Sequence, residues 1–409
     1  MGRKNSKSRR PTSFSFDLPL DLIAQVLARL PVYTLRKLRC VCKEWRSLID
    51  SSAFASLHFN LCNINRQNAP LFLIEEGYHG IGCFVRRSDT FRKAYEIVLP
   101  RNWGHLRPVG YLNGVILCSK YDDDGRVLGF VMWNPRTRKS IQIPPPSGSL
   151  HISGIREVLV DPASGIANDY KLVVIPFDHP SWRYHFPLNV PSSVLIEVYS
   201  LSTSSWRSSS INTKSVQQLM ATHHKAAVSM NGAVHWIGYN PPNGHCIVAF
   251  DVQNDVFRYF SLPPAKDVQL GVLSILHESL VLLKLEDSET GWCLIWVMEN
   301  YGMAESWVNR FKINMGHGSF LYLKRNGKFF FTKGKQGVKV CDMDSGRIQD
   351  LAKTYSDHIV LMDNFVETLG LPSEDDGQRR EGFWFKMPAM EKESFGGFVI
   401  VDIVFWKYR

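Results

Sequence analysis

The chain has 409 residues, 44% of them hydrophobic and 21% charged, a composition typical of globular protein with room for more than one domain. No apolar run reaches the roughly 18 residues of a membrane-spanning helix, so no membrane span is predicted. The polar start MGRKNSKSRR lacks the hydrophobic stretch of a secretory signal. We therefore expect a cytoplasmic or nuclear location, where the 8 cysteines are thiols.

The basic excess of the chain is concentrated at its start. The formal net charge is +10, and the first ten residues supply five of the basic side chains: Arg3, Lys4, Lys7, Arg9 and Arg10. Residues 1–13 are predicted to be a basic disordered tail. A nuclear import signal and N-myristoylation at Gly2 are alternatives. The remainder is only mildly basic and predicts no specific nucleic-acid binding.

Residues 14–60 have the pattern of three short helices. Asp17 is suited to cap the first helix, and Pro31 ends it. Thr34 is suited to cap a second helix from Leu35, and the third is predicted from about Val41 to Ile49. The apolar stripe of the first helix consists of Leu22, Ile23, Val26, Leu27 and Leu30.

A helical unit of this size cannot bury all of its apolar side chains. It has a poor ratio of volume to surface, and no disulfide or metal is predicted to support it. Two interpretations remain: the unit docks on the larger part of its own chain, or it presents apolar surface to another protein. The surplus of apolar residues favours the second interpretation.

The stretch LPLDLIAQVLARLPVYTLRKLRCVCKEWRSLID, Leu18 to Asp50, resembles the F-box of plant F-box proteins. Tyr33 departs from the usual pattern, at a position predicted to be a turn. The resemblance implies docking onto the Skp-type adaptor of a cullin-RING ubiquitin ligase. The implied adaptor contacts are Leu18, Pro19, Leu22, Ile23, Val26, Leu30, Pro31, Val32, Val41, Cys42, Lys43 and Trp45. Side chains expected inside the module are Leu27, Leu38, Leu48 and Ile49, whereas Trp45 suits either environment.

Beyond residue 61 the chain changes to short strands separated by turns. Apolar runs flank Asn-Gly at 113–114, 231–232 and 326–327, which predicts hairpins with type I′ turns. A second hairpin pattern follows each of them, as in VMWNPRTRKSIQIPPP and IVAFDVQNDVFRYFSLPP. The pairs recur every 35 to 50 residues or so, which is the spacing of propeller blades. We expect five or six blades over residues 70–371, with a β-sandwich as the alternative.

The β-rich part resembles the F-box-associated domain of plant F-box proteins. The motifs that carry this resemblance are NGVILC, WNPRTRKSIQIP, VDPASGIANDYKLVVI, IEVYSLSTSSWR, NGAVHWIG and IVAFDVQNDVFRYFSLP. The predicted fold class is therefore α+β and multidomain, with a short three-helix F-box followed by an all-β, propeller-like repeat domain. Residues 61–69 are predicted to be a linker. Residues 372–409 are predicted to be a charged link with terminal strands that close the sheet.

Catalytic and metal-binding patterns are weak. The chain has no G-x-S-x-G and no H-E-x-x-H, so we expect a non-enzymatic protein without a cofactor. His223-His224 has no further ligand at metal-binding spacing. Asp122 to Asp124 are consecutive where a calcium loop alternates its ligands, which favours a solvated turn.

The two resemblances together imply the substrate-recognition subunit of an SCF (Skp–cullin–F-box) ubiquitin ligase. Such a receptor brings a target close to the ubiquitin carrier and performs no bond chemistry itself. The target is expected to bind loops on one propeller face, with Trp103, Trp182 and Tyr184 as candidate contacts. Two alternatives remain open: a glycan or small-ligand receptor that acts without degradation, and a propeller enzyme.

Overall fold

The computed structural model describes residues 19–63, 69–77, 80–99, 105–146, 155–160, 170–176, 193–212, 227–240, 244–264, 271–286, 290–333, 337–352 and 358–371. Helices occupy the N-terminal part of these ranges, and the rest consists of antiparallel strands with one short 3-10 helix, Ala304–Ser306, among the described residues. The predicted fold class, short N-terminal helices followed by an all-β, propeller-like domain, is confirmed. The basic tail at 1–13, Asp17 and residues 372–409 lie outside the described residues.

Four helices form the N-terminal module: α1 (Leu20–Leu27), α2 (Val32–Leu38), α3 (Lys43–Asp50) and α4 (Ser52–Asn63). The three predicted helices are present, and α4 is an addition that sequence analysis missed. Helix α2 begins before the predicted Thr34 cap because the Pro31 carbonyl accepts hydrogen bonds from the Thr34 and Leu35 amides at 2.9 and 3.1 Å. Tyr33 therefore lies in a helix and not in a turn.

Six four-stranded antiparallel sheets follow among the described residues. Blade 1 contains β1 (Leu71–Gly77), β2 (Gly80–Arg86) and β3 (Lys93–Ile97); blade 2 contains β4 (Leu106–Leu112), β5 (Val115–Tyr121), β6 (Val127–Asn134) and β7 (Lys139–Ile143); blade 3 contains β8 (Ile155–Val160), β9 (Lys171–Pro176), β10 (Ser193–Ser200) and β11 (Ser205–Asn212). Blade 4 contains β12 (Ala227–Met230), β13 (Ala233–Asn240), β14 (Gly244–Asp251) and β15 (Val256–Ser261); blade 5 contains β16 (Val272–Leu276), β17 (Ser279–Leu285), β18 (Trp292–Met298) and β19 (Trp307–Asn314); blade 6 contains β20 (Phe320–Leu323), β21 (Lys328–Thr332), β22 (Val338–Asp342) and β23 (Ile348–Ala352).

The last strand, β24 (His358–Asn364), closes the ring by pairing with β1 in blade 1. Leu71 lies opposite Asn364 in this pairing, so blade 1 combines the two ends of the domain. The innermost strands β24, β4, β8, β12, β16 and β20 each contact the next one around the ring. A ring of blades arranged in this way leaves only short, protected strand edges. The closing strand therefore precedes the apolar C-terminal segment that was predicted to close the sheet.

Local turn chemistry explains the repeats. Asn113-Gly114 and Asn231-Gly232 have positive φ at both residues, as type I′ hairpin turns require. The third turn differs, because at 326–327 only Gly327 has positive φ, and its amide donates to the Lys324 carbonyl at 3.0 Å. That geometry is a type I turn followed by a glycine bulge.

The other repeated hairpin, between the third and fourth strands of a blade, begins with an Asn or Asp that caps its own turn. The Asn134 Oδ1 atom accepts from the Arg136 and Thr137 amides, and the Asp251 Oδ1 atom accepts from the Gln253 and Asn254 amides, at 3.0 to 3.2 Å. The turn then closes on a residue with positive φ, Arg138 or Asp255. The side-chain cap makes this turn tolerant of different residues at its centre.

The propeller has two different ends because its strands alternate in direction. The turns from first to second strand and from third to fourth strand share one end, which includes Asn113-Gly114 and the turn at 134–139. We call it the tight-turn end. The helical module enters β1 at this end, and the chain leaves β24 there. The last residues of β9 and β11 lie at the opposite end.

Candidate partner-binding surface

The helical module leaves large apolar side chains exposed. We call Leu20, Leu22, Val26 and Val41 the exposed apolar set, because 48% to 63% of each is accessible. Leu22 and Val26 are neighbours four residues apart on the outward face of α1, while Leu27 on the inward face is 3% exposed. Tyr33 adds a further exposed ring, with the Lys37 Nζ atom 4.5 Å from its centroid. Exposed apolar side chains that neighbour one another, as Leu22 and Val26 do, are typical of a protein-binding surface.

The start of α3 presents further exposed side chains. Cys42 precedes the helix in an extended conformation, and its Sγ atom accepts from the Trp45 amide at 3.4 Å. This contact satisfies one of the free amides of the first turn. Val41 and Lys43 on either side of Cys42 are exposed. The cap thus holds an apolar and a basic side chain outward at the helix start.

The structure separates the residues that the F-box resemblance implies into three groups. Those that are exposed are Pro19, Leu22, Val26, Pro31, Val41 and Lys43. Those that are partly buried are Ile23, Leu30, Cys42 and Trp45. Val32 is completely buried and packs in the helical core, so its side chain is not on the surface. Leu18 lies outside the described residues.

The helical core includes one residue from the far end of the described chain. Leu27, Val32, Leu35 and Ile49 pack with Phe54 and Ala55 of α4, and Leu369 joins the same cluster. Leu38 and Leu48, predicted to be internal, are partly buried against it. The His58 Nε2 atom lies 3.1 Å from the Leu30 carbonyl, and burial lowers the pKa of this histidine. The module therefore docks on its own chain and still leaves apolar surface free.

Residues 365–371, which we call the strap, connect the two parts. The buried Asn134 side chain donates to the Thr368 and Gly370 carbonyls at 2.9 and 2.8 Å. The Tyr111 hydroxyl accepts from the Val366 amide at 2.8 Å. These bonds fix the strap on blade 2, while Leu369 enters the helical core. The helices are thereby held against the tight-turn end of the propeller.

The Arg36 and Arg136 side chains reinforce the junction. The Arg36 Nη1 atom donates to the Arg136 carbonyl at 3.0 Å, which joins α2 to the turn of blade 2. The Arg136 side chain makes an ion pair with Glu367 of the strap at 2.8 Å. Sequence analysis identified none of these contacts, since each joins residues that are distant in the chain.

The remaining predicted sites have different outcomes. Trp103, Trp182, Tyr184 and His223-His224 lie outside the described residues. The Asp122 Oδ1 atom accepts from the Asp124 and Arg126 amides at 3.0 and 2.7 Å, so this carboxylate caps an exposed turn. Within the described ranges, no group of three His, Cys, Asp or Glu side chains has the geometry of a metal site. No described helix has the length and apolar character needed to cross a membrane.

Comparison with known families agrees with this architecture. The F-box domain family matches residues 15–56, and the family described as the F-box associated beta propeller domain matches residues 102–378. The chain is a member of the F-box proteins with an F-box-associated β-propeller. This F-box protein is 24% identical over 349 residues to the probable F-box protein At5g47300 of Arabidopsis thaliana, with 81% of this chain and 77% of that one covered.

Two further Arabidopsis thaliana proteins are similar along most of their length. The F-box/LRR-repeat/kelch-repeat protein At2g27520 is 25% identical, with 80% of this F-box protein and 85% of the relative covered. The F-box protein ETP2 is 24% identical, with 93% and 97% covered. The similarity therefore extends through both the helices and the propeller.

Proposed function

We propose that this F-box protein is the substrate-recognition subunit of an SCF-type ubiquitin ligase. In this proposal the helical module binds the Skp-type adaptor and the propeller binds a target protein. The protein itself performs no bond chemistry. Its contribution is to raise the effective concentration of a target lysine near the ubiquitin carrier.

The observation that carries the proposal is the exposed apolar set on a module whose other apolar face is already buried. Five of the thirteen large apolar side chains that are exposed among the described residues lie between positions 20 and 41. Covering Leu22 and Val26 with a partner would remove apolar surface from water without rearranging the helical core. The proposed adaptor contacts are the exposed and partly buried groups named above, together with Leu18. Val32 is not among them, because it packs inside the helical core.

The position of the module suggests where the target binds. The helices and the strap occupy the tight-turn end, and the exposed apolar set faces away from the helical core. A target bound at the opposite end of the propeller would not compete with the adaptor. We propose that end for target binding. The fixed junction would then hold adaptor and target at a constant separation, which favours repeated transfer to the same lysines.

The adaptor assignment is tested with a double substitution, Leu22→Asp with Val26→Asp. Two carboxylates on an apolar interface lose their hydration without a partner, so capture by a purified plant Skp-type adaptor should weaken at least tenfold. Both side chains are exposed, so the free energy of unfolding should change by less than about 0.5 kcal/mol. Biolayer interferometry measures the first quantity and thermal unfolding the second.

The matched control is Ile348→Asp on β23, because Ile348 and Leu22 are both 48% exposed. This variant should bind the adaptor like the wild type. Equal binding by the double variant and the control would reject the adaptor assignment. Target proteins are then sought by proximity labelling in cells that carry either the wild type or the double variant. A target should accumulate only with the double variant, and the absence of any such protein would contradict a degradative role.

A further inference from the structure

The Asn231-Gly232 turn in blade 4 differs in its surroundings from the other two described Asn-Gly turns. The Asn231 side chain is exposed, and a Cβ atom added at Gly232 would meet no atom within 4 Å. Gly114 is buried, and a Cβ atom there would lie 2.6 Å from the Val366 carbonyl oxygen of the strap. Gly327 is buried as well. The turn in blade 4 is therefore the most open of the three.

The backbone amides of these turns also differ in their hydrogen bonds. The Gly327 amide donates to the Lys324 carbonyl at 3.0 Å, so its proton is engaged. In the blade 4 turn, the Gly232 carbonyl accepts from the Val252 amide at 3.1 Å, whereas the Gly232 amide has no acceptor among the described residues. Because the turn is open and this amide is unpaired, the Gly232 nitrogen can lose its proton to solvent.

An asparagine that precedes an accessible glycine amide can undergo deamidation. Glycine has no Cβ atom to hinder the approach of its nitrogen to the neighbouring side chain. After losing its proton, the Gly232 nitrogen attacks the Asn231 Cγ atom, and the new C–N bond closes a succinimide ring. The bond from Cγ to Nδ2 breaks, and ammonia leaves with a proton taken from water. A water molecule then opens the ring at either of its carbonyls, which leaves aspartate or isoaspartate.

We propose that Asn231 is a site of spontaneous deamidation, and that the packing of the other two turns protects Asn113 and Asn326. In the isoaspartate product the main chain runs through the former side-chain carbonyl, so the backbone gains one carbon atom and a free carboxylate. A type I′ turn needs two residues of positive φ with normal backbone length, so the product does not fit it. Isoaspartate is the substrate of methyltransferases that use S-adenosylmethionine, and an enzyme of this class is the partner that fits the product.

The position of the turn determines what the modification would change. The turn joins β12 to β13, and β12 is an innermost strand that contacts β8 and β16 in the neighbouring blades. Deamidation would therefore weaken the ring at blade 4, while the exposed apolar set of the helical module would remain as it is. This inference does not depend on the proposed ligase role, since the reaction requires only this chain and water.

The test incubates the full chain at mildly acidic and mildly alkaline pH and follows each Asn-Gly pair by peptide mass spectrometry. Asn231 should convert at least about tenfold faster than Asn113 or Asn326, which corresponds to about 1.4 kcal/mol of extra free energy for opening the packed turns. The rate should rise with pH, because the attacking nitrogen must first lose its proton. Fragment ions separate Asn231 from Asn243, which also precedes a glycine and lies outside the described residues.

The variant Asn231→Gly removes the reacting amide and keeps a residue that readily adopts positive φ. On incubation the wild type should gain a fraction of lower melting temperature that grows with conversion, and this variant should gain much less of it. The matched control is Asn113→Gly, which changes the same turn position in blade 2 and should age like the wild type. If Asn231→Gly does not fold, Gly232→Ala is used, and conversion of Asn231 must fall because the added methyl group hinders the attack.

Labelling with an isoaspartyl methyltransferase and S-adenosylmethionine carrying a radioactive methyl group measures the product directly. The incubated wild type should be labelled at position 231, and incubated Asn231→Gly should not be labelled there. Conversion of Asn113 or Asn326 at the same rate as Asn231, or faster, would overturn the proposal. Aspartate without isoaspartate at position 231 would also overturn it, because direct hydrolysis of the side chain would then replace the succinimide route.

Discussion

The helices and the propeller differ in how completely they bury their apolar side chains. The propeller buries runs of consecutive residues, such as Val115 to Cys118 and Phe329 to Phe331, in clusters that lie between adjacent blades. The helical module buries one face and leaves Leu22, Val26 and Val41 exposed. The propeller therefore buries its apolar residues between its own blades, while the helical module leaves part of its apolar surface exposed.

The difference follows from size and topology. A ring of six sheets gives every blade two neighbours, so each sheet is covered on both faces. Four short helices cannot surround a core of their own, and here Leu369 from the strap completes it. The propeller is therefore independent of the helices for its core, whereas the helices depend on the propeller. Such a dependent module suits a task in which its free face binds a partner.

The largest expected effect concerns pH and acts on the propeller. Burial lowers the pKa of His235 from 6.5 to about 4, and its Nε2 atom lies 2.7 Å from the Tyr301 hydroxyl. This histidine is neutral in the folded protein, so its contribution is complete above about pH 6.5 and is lost as pH falls toward 4. The loss is about 3 kcal/mol, since the unfolded chain binds the proton more tightly.

Urea unfolding at pH 7, 6 and 5 follows the first part of this loss, about 2 kcal/mol by pH 5. The variant His235→Gln should have a shallower dependence on pH than the wild type. In the helical module, burial also lowers the pKa of His58, but the Leu30 carbonyl and Glu367 oppose the shift. We therefore expect His58→Gln to alter the pH dependence less than His235→Gln does. The reverse order would contradict the contrast between the two regions.

The second prediction addresses the dependence of the helices on the strap. Leu369→Ala removes a buried side chain from the helical core and should destabilise that module by about 2 kcal/mol. Hydrogen exchange followed by mass spectrometry should show faster exchange in α1 to α4, with little change in β17 and β18 of blade 5. The control is Leu285→Ala, which removes a side chain that is 46% exposed. Equal acceleration in both regions would show that the two do not differ in this way.

Features that depend on neighbouring residues were predicted from the sequence. The Asn-Gly hairpins at 113–114 and 231–232 follow from the positive φ that both residues tolerate. The stripe of α1 follows from helical spacing, with Leu27 inside and Val26 outside. The family motifs then identified both domains.

Features that depend on distant residues were missed. The pairing of β24 with β1, the contact of Leu369 with the helices and the hydrogen bond from Arg36 to the Arg136 carbonyl each join positions far apart in the chain. No periodic pattern encodes such contacts. Helix α2 also begins at Val32 and not at the predicted Leu35. The Pro31 carbonyl accepts the first hydrogen bonds of the helix, where a Thr34 side-chain cap was predicted.

The smallest expected effect compares the same turn in two environments. Gly114 and Gly232 both have positive φ, at 86° and 71°, so replacement by alanine strains either backbone by about 1 kcal/mol. An added Cβ at Gly232 meets no atom within 4 Å, whereas at Gly114 it would lie 2.6 Å from the Val366 carbonyl oxygen of the strap. Gly114→Ala should therefore cost at least about 1 kcal/mol more than Gly232→Ala in urea unfolding. It should also accelerate hydrogen exchange in the helices. Leu369 of the strap packs in the helical core, so a displacement of the strap disturbs that packing. If the two variants lose the same free energy of unfolding and leave hydrogen exchange in the helices unchanged, the strap can move at blade 2. Its contacts there would then not hold the helices in place.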